Sequence, residues 1–207
     1  MTDKRKHGYK TLAEAHAQLK AEGKWEEYQA TVAFKEEERR QIWAAWNRAA
    51  QPIVEALGAV GTNVSVVAEL LDGRKLDPRI IPVLLEHVKR AEYPDQIREM
   101  LLRALGSPIA RPYWSELVGL LERNAAQLSA DIRYVAAVAI DGAANDSLIE
   151  DVLRLAKNRD LGPHRGPLLF TLMRSKDPRA RMLLLELRDD PFIGKEVKKM
   201  CRLARKT

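Results

Sequence analysis

The sequence predicts an all-α protein, a solenoid of about five helical pairs with an N-terminal helical extension. Three observations carry that expectation. The first is a recurring helical face: Ile97, Met100, Leu101, Ala104 and Leu105 stand at offsets zero, three, four, seven and eight, and Ile132, Val135, Ala136, Ala139 and Ile140 repeat them. Parts of the face return at Val64, Val67, Ala68 and Leu71, and at Val197, Met200, Cys201 and Ala204. The second is a period. The residue after the first anchor is Ser65, Arg98, Arg133, Arg165 and Lys198, at spacings of 33, 35, 32 and 33, and self-similarity of that length marks stacked helical pairs. The third is the placement of prolines. Pro52, Pro82 and Pro112 each stand near the start of an apolar run, where a missing N–H costs a helix nothing.

In chain order, residues 1–10 read as a flexible basic lead-in. Thr11 with Glu14 has the pattern of a capping box, in which each side chain satisfies a free N–H of the first turn. The helix it opens carries Leu12, Ala15 and Leu19 on one side and ends at Gly23. A longer helix follows from about Lys24, with a stripe of Trp25, Tyr28, Val32, Ile42, Trp43, Trp46 and Ala50. Its three tryptophans are expected in a core. The charged run FKEEERRQ reads as a solvated face, with Glu36 placed to pair with Arg40. Residues 11–50 are thus expected to cap the repeat array. From 51 onward the expected helix pairs are 51–59 with 63–72, 78–90 with 94–105, 109–124 with 130–141, 146–158 with 164–174, and 178–188 with 193–205. The fourth pair departs from the pattern, because His164 and Pro167 occupy places that are apolar and helix-compatible elsewhere.

The pieces DQIREMLLRALG (95–106) and ADIRYVAAVAIDG (130–142) resemble the second helix of HEAT repeats. DPRIIPVLL (77–85) and DPRARMLLL (177–185) are similar to the first helix. The resemblance covers roughly residues 51–207 and implies a right-handed α-solenoid whose second helices line a concave surface. By the same resemblance, an Asp near the recurring Arg joins a hydrogen-bond ladder between repeats. Asp95 with Arg98 and Asp131 with Arg133 fit that structural role.

Composition narrows the class further. The chain has 207 residues, 46% hydrophobic and 31% charged, which fits an ordered soluble protein. No apolar run approaches the ~20 residues of a membrane span, and the N-terminus lacks the apolar stretch of a signal peptide. The single cysteine, Cys201, excludes an intramolecular disulfide and fits a reducing compartment, so a cytoplasmic location is expected. By its register it should be a buried structural thiol.

Little in the sequence points to catalysis. His7, His16, His87 and His164 lack paired-ligand spacing, no CxxC occurs, and no phosphate-binding glycine loop is present. Glu86, Glu116 and Asp141 pair with no obvious base and are expected to be structural. HEAT-like hydroxylases use repeated His-Glu pairs, of which this chain has only the reversed Glu86-His87. HEAT-like DNA glycosylases use aromatic and acidic residues in a cleft, for which Trp114 with Glu116 is the nearest match. No catalytic residue, metal or cofactor is expected.

The charge of +6 is unevenly placed. Lys195, Lys198, Lys199, Arg202, Arg205 and Lys206 against Glu196 give the last 17 residues +5, and the first ten carry +3, leaving a slightly acidic body. Arg165 has no acid two or three residues before it, and before Lys198 stand Lys195 and Glu196. With His164, Arg174, Lys195, Lys199, Arg202 and Arg205, Arg165 and Lys198 form a C-terminal basic cluster, the candidate binding residues. The expectation is a non-catalytic scaffold that holds a protein partner by its concave face or this basic end. The alternative is a nucleic-acid-binding protein gripping phosphates with the same cluster. Against that alternative stand the acidic body and the lack of aromatic residues among the basic ones.

Overall fold

Thr11 opens the first helix through the expected capping box. The Thr11 Oγ1 accepts from the Glu14 N–H at 3.2 Å, and the Glu14 carboxylate accepts from the Thr11 N–H at 2.8 Å. Helix α1 (Leu12–Ala21) stops before Gly23, whose φ of +70° is a left-handed conformation that favours glycine. Helix α2 (Trp25–Ala49) follows. The computed structural model describes residues 10–73, 75–122 and 128–202, and residue 203 by its backbone alone. Among them every regular element is a helix, and the chain divides into two bodies, 1–45 and 46–207.

The first body corrects one expectation. Neither α1 nor α2 buries a residue completely. Trp25 is half-buried, stacked on Tyr28 at 5.7 Å and met edge-on by His16 at 4.9 Å, with Lys20 Nζ 4.9 Å above its ring. Trp43 remains 41% exposed. A two-helix body has too little surface to cover an aromatic stripe from all sides. Trp46, in the second body, is half-buried against that body's core.

The second body holds five successive helical pairs. They are α3 (Gln51–Ala59) with a 3₁₀ turn Val67–Leu71, then α4 (Ile80–Val88) with α5 (Asp95–Leu105). Next, a 3₁₀ turn Pro108–Tyr113 leads into α6 (Trp114–Glu122), paired with α7 (Ala130–Ala143). In the fourth, α8 (Ile149–Lys157) precedes a 3₁₀ segment Arg159–Arg165 and α9 (Leu168–Arg174). The fifth is α10 (Pro178–Glu186) with its 3₁₀ extension Leu187–Asp189, then α11 (Gly194–Leu203).

Two expected helices fall short for local reasons. Over 63–72 only the 3₁₀ turn forms, because Val64, Val66 and Val67 are β-branched and resist the helical rotamer, and Gly73 (φ +75°) turns the chain away. Over 164–174, Pro163 and Pro167 supply no N–H, and Gly162 at φ +55° breaks the path, so α9 starts only at Leu168.

The second elements of the first four pairs are neighbours. Helix α5 packs against both the 67–71 turn and α7, and α7 packs against α9. The first elements adjoin too, α3 with α4 and α8 with α10. Their repeating offsets are buried: Ile97, Leu101, Leu105, Ile132, Ala136 and Ile140 are all nearly inaccessible. Truncating one such leucine to alanine costs about 2–5 kcal/mol.

Polar bonds join residues 29 to 34 apart in the sequence. Ser129 Oγ donates to Asp95 at 2.6 Å, and Arg111 Nε donates to the Ala143 carbonyl at 2.8 Å. Arg154 reaches Glu122, Arg174 reaches Asp141 at 2.9 Å, and Arg179 reaches Glu150 at 2.5 Å. The residues expected as a ladder play unequal parts. Asp95 accepts from Ser129 of the next pair, while Arg98 is buried and donates to the Val88 carbonyl at 3.1 Å and to Asp95 at 3.3 Å. Asp131 is exposed, and the buried Nε of Arg133 has no hydrogen-bond partner.

Candidate functional site

The C-terminal basic cluster does not form one patch. Arg165 is the clearest correction: it is fully enclosed, and its guanidinium donates to Asp190 at 2.7 Å, to the Ala156 carbonyl at 2.9 Å and to the Gly162 carbonyl at 3.0 Å. Its acid comes from the following pair rather than from the position before it, which spacing alone could not show. It is a buried joint, unavailable to a partner. Arg174 is engaged with Asp141 and Thr171. His164 is half-buried, and burial first, then the positive charge of Arg133, hold its pKa below the ordinary value. Lys195 and Lys199 are exposed on α11, and Arg205 lies outside the described residues.

The remaining two, Lys198 and Arg202, border a half-open groove of about 690 Å³ between α9, α10 and α11. Helical spacing builds both walls. Arg181, Leu184, Leu185 and Arg188 stand at offsets zero, three, four and seven along α10 and its extension, so they share one face. Lys198, Cys201 and Arg202 do the same on α11. Leu172 and Met173 from the end of α9 complete the apolar floor. Cys201 is half-buried there, packed on the core and bordering the groove. Asp190 starts the α11 wall by accepting the N–H groups of Phe192 (3.0 Å) and Ile193 (3.1 Å).

The charges around this groove are unbalanced. Arg79, Arg90, Arg103, Arg154, Arg174 and Arg179 each sit against a carboxylate. Among the described residues, Arg181, Arg188 and Arg202 make no ion pair; Lys198 pairs with Asp189 at 3.0 Å, and the charge of Arg188 also acts on that carboxylate. That pair is exposed on both sides and contributes little to stability. Cations beside apolar surface are less screened than cations facing bulk water.

Arg181 and Arg188 stand outside the second-helix row and the basic tail, so the sequence pattern did not single them out. The signal was present as two arginines seven apart bracketing Leu184 and Leu185.

The residues weighed for catalysis have structural partners. Trp114 is buried, and its Nε1–H donates to Asp151 at 2.8 Å. Among the described residues no group of three His, Cys, Asp or Glu side chains is placed to hold a metal ion. No helix among them is long and apolar enough to cross a membrane. Comparison with protein-family models, with curated proteins and with solved structures finds no match.

His87 is buried with its Nδ1 2.8 Å from the Tyr93 hydroxyl, and burial, then the nearby Arg90, lower its pKa from 6.5. The folded state therefore binds this proton more weakly than the unfolded chain does. Its contribution to stability is full above about pH 6.5 and is lost as pH falls below that value. Thermal melts at pH 7.5 and 5.0 should show a lower Tm at pH 5.0, and His87→Gln should shrink that difference. An unchanged difference in the variant would assign the titration to other groups, His164 first.

Proposed function

We propose that residues 51–207 form a HEAT-like α-solenoid and that the protein is a non-catalytic interaction scaffold, binding a protein partner at its basic C-terminal end. The repeating helical pairs, the side-by-side second elements and the polar bonds one repeat apart support the solenoid reading. The observation that carries the binding role is the groove, with its aliphatic floor and a rim holding three arginines that make no ion pair among the described residues. The recurring Arg98 and Arg165 do not offer a binding row on the second helices, since both are buried and bonded.

The alternative is a nucleic-acid grip, which the rim cations would also suit. The floor argues for protein. Bases stack on aromatic rings, and the groove is floored by Leu172, Met173, Leu184 and Leu185.

A photo-crosslinking amino acid placed at Leu185, which is 54% exposed in the groove wall, tests the reading in cells. The expected result is protein adducts from this position, lost in an Arg181→Glu/Arg188→Glu background and not formed from a control at the exposed Tyr134. Nucleic-acid adducts at Leu185 would replace the protein reading with the alternative. The same adducts from both positions would end the case for this groove.

A further inference from the structure

The groove also says what kind of partner fits it. Resting on the reading that this end binds a protein, we infer that its occupant is an acidic amphipathic helix. Aliphatic side chains of that helix lie on the Leu172, Leu184 and Leu185 floor, and its carboxylates meet Arg181, Arg188 and Arg202.

Charge is the first argument. Arg181, Arg188 and Arg202 have no ion pair to a carboxylate among the described residues, and all three border one apolar groove. A ligand carboxylate supplies to each what Asp141 supplies to Arg174, and a planar guanidinium receives it through two parallel N–H bonds. Lys198 joins by exchanging its exposed partner Asp189 for the ligand.

Shape is the second. Arg181 and Arg188 are separated by seven residues along one face, roughly 10 Å of helical rise. A helix laid along α10 presents carboxylates two turns apart at the same separation. Its own apolar residues at offsets of three and four then fall on Leu184 and Leu185, the usual geometry of a helix in a groove. The groove is half-open rather than enclosed, so it accepts one face of a longer chain. A small acid would leave much of the floor uncovered.

The test uses the full chain and fluorescein-labelled 14-residue peptides in anisotropy titrations. One peptide places leucines on a single helical face and glutamates elsewhere, a second scrambles the same composition, and a third replaces every glutamate with lysine. A 14-nucleotide single-stranded DNA completes the set. The expected result is saturable binding of the first peptide, at least tenfold tighter than the scrambled and lysine forms and tighter than the DNA. It should weaken at least tenfold in Arg181→Glu/Arg188→Glu, and again in Leu185→Asp. Bound peptide should also slow alkylation of Cys201 in the groove. All three replaced side chains are exposed, and thermal melts will verify that the variants remain folded. Equal binding of the scrambled peptide, indifference to both variants, or tighter binding of DNA would overturn the inference. If Leu185 crosslinks to protein in cells while the facial peptide fails, the scaffold reading stands and only this occupant is wrong. If both fail, both are wrong.

Discussion

Asp190→Ala will destabilise the protein by about 3–5 kcal/mol, because it leaves the Arg165 guanidinium charged, buried and without its counter-ion. The side chains of the pair are 0% and 2% exposed. Arg165 uses its other donors on the Ala156 and Gly162 carbonyls, so it ties the end of α8 and the Gly162 turn to the loop before α11. Asp190 divides its two oxygens between Arg165 and the N–H groups that open α11. Equilibrium urea denaturation measures the loss. Replacing both partners with apolar residues, as in Arg165→Met/Asp190→Leu, should recover part of it, since no charge is then stranded. About 1 kcal/mol should stay lost with the α11 cap. A cost under 1 kcal/mol for Asp190→Ala would mean that water reaches the pair.

The same carboxylate fixes an acid limit. Burial pushes the Asp190 pKa up, but the Ile193 and Phe192 N–H groups and Arg165 together hold it below the ordinary value of 3.8. A depressed folded pKa gives stability that is complete above the unfolded value and is lost as pH falls through the folded one. This contribution therefore disappears only below about pH 4. It does not overlap with the histidine effect near neutrality.

Gly142→Ala will also destabilise the protein, by about 1–3 kcal/mol, although alanine is the better helix former by roughly 1 kcal/mol. Gly142 lies inside α7 at the point where α7 passes the end of α5. A Cβ there would stand 2.8 Å from the Gly106 carbonyl carbon and 3.0 Å from its Cα, and closer still to the carbonyl oxygen. Backbone cannot turn aside as a side chain can, so the two pairs must separate. Gly58 is the control. It is helical in α3 with nothing within 4 Å of a built Cβ, so Gly58→Ala should stabilise by up to about 1 kcal/mol. Opposite signs in the two melts are the expected result. Stabilisation by both would show that the approach of α5 to α7 is not tight.

Much of the chain's local order could be read from residue types. The capping box at Thr11, the turn at Gly23 and Pro52 in the first turn of α3 depend on neighbours in sequence, and they stand where spacing placed them. The buried faces of α5 and α7 follow from a period of 3.6 residues. Where local signals conflict, as with the valines at 64–67 or the prolines at 163 and 167, the helix shortens. The interaction surface was harder to see. Arg98, Arg133 and Arg165 occupy one register position, yet the first is bonded within its pair, the second has an unpartnered Nε, and the third is sealed against Asp190.

Residue order alone therefore settles that the chain is helical and which faces of α5 and α7 are apolar, because these depend on contacts within a few residues. Which charges are spent and which remain is decided by tertiary structure. Arg165 meets an acid 25 residues away, and Arg174 meets one 33 residues away. Arg181, Arg188 and Arg202 meet none among the described residues. Ion pairing acts over a few ångströms in space, whatever the distance along the chain, so the gathering of Arg181, Arg188 and Arg202 around one apolar groove becomes visible only when the helices are brought together.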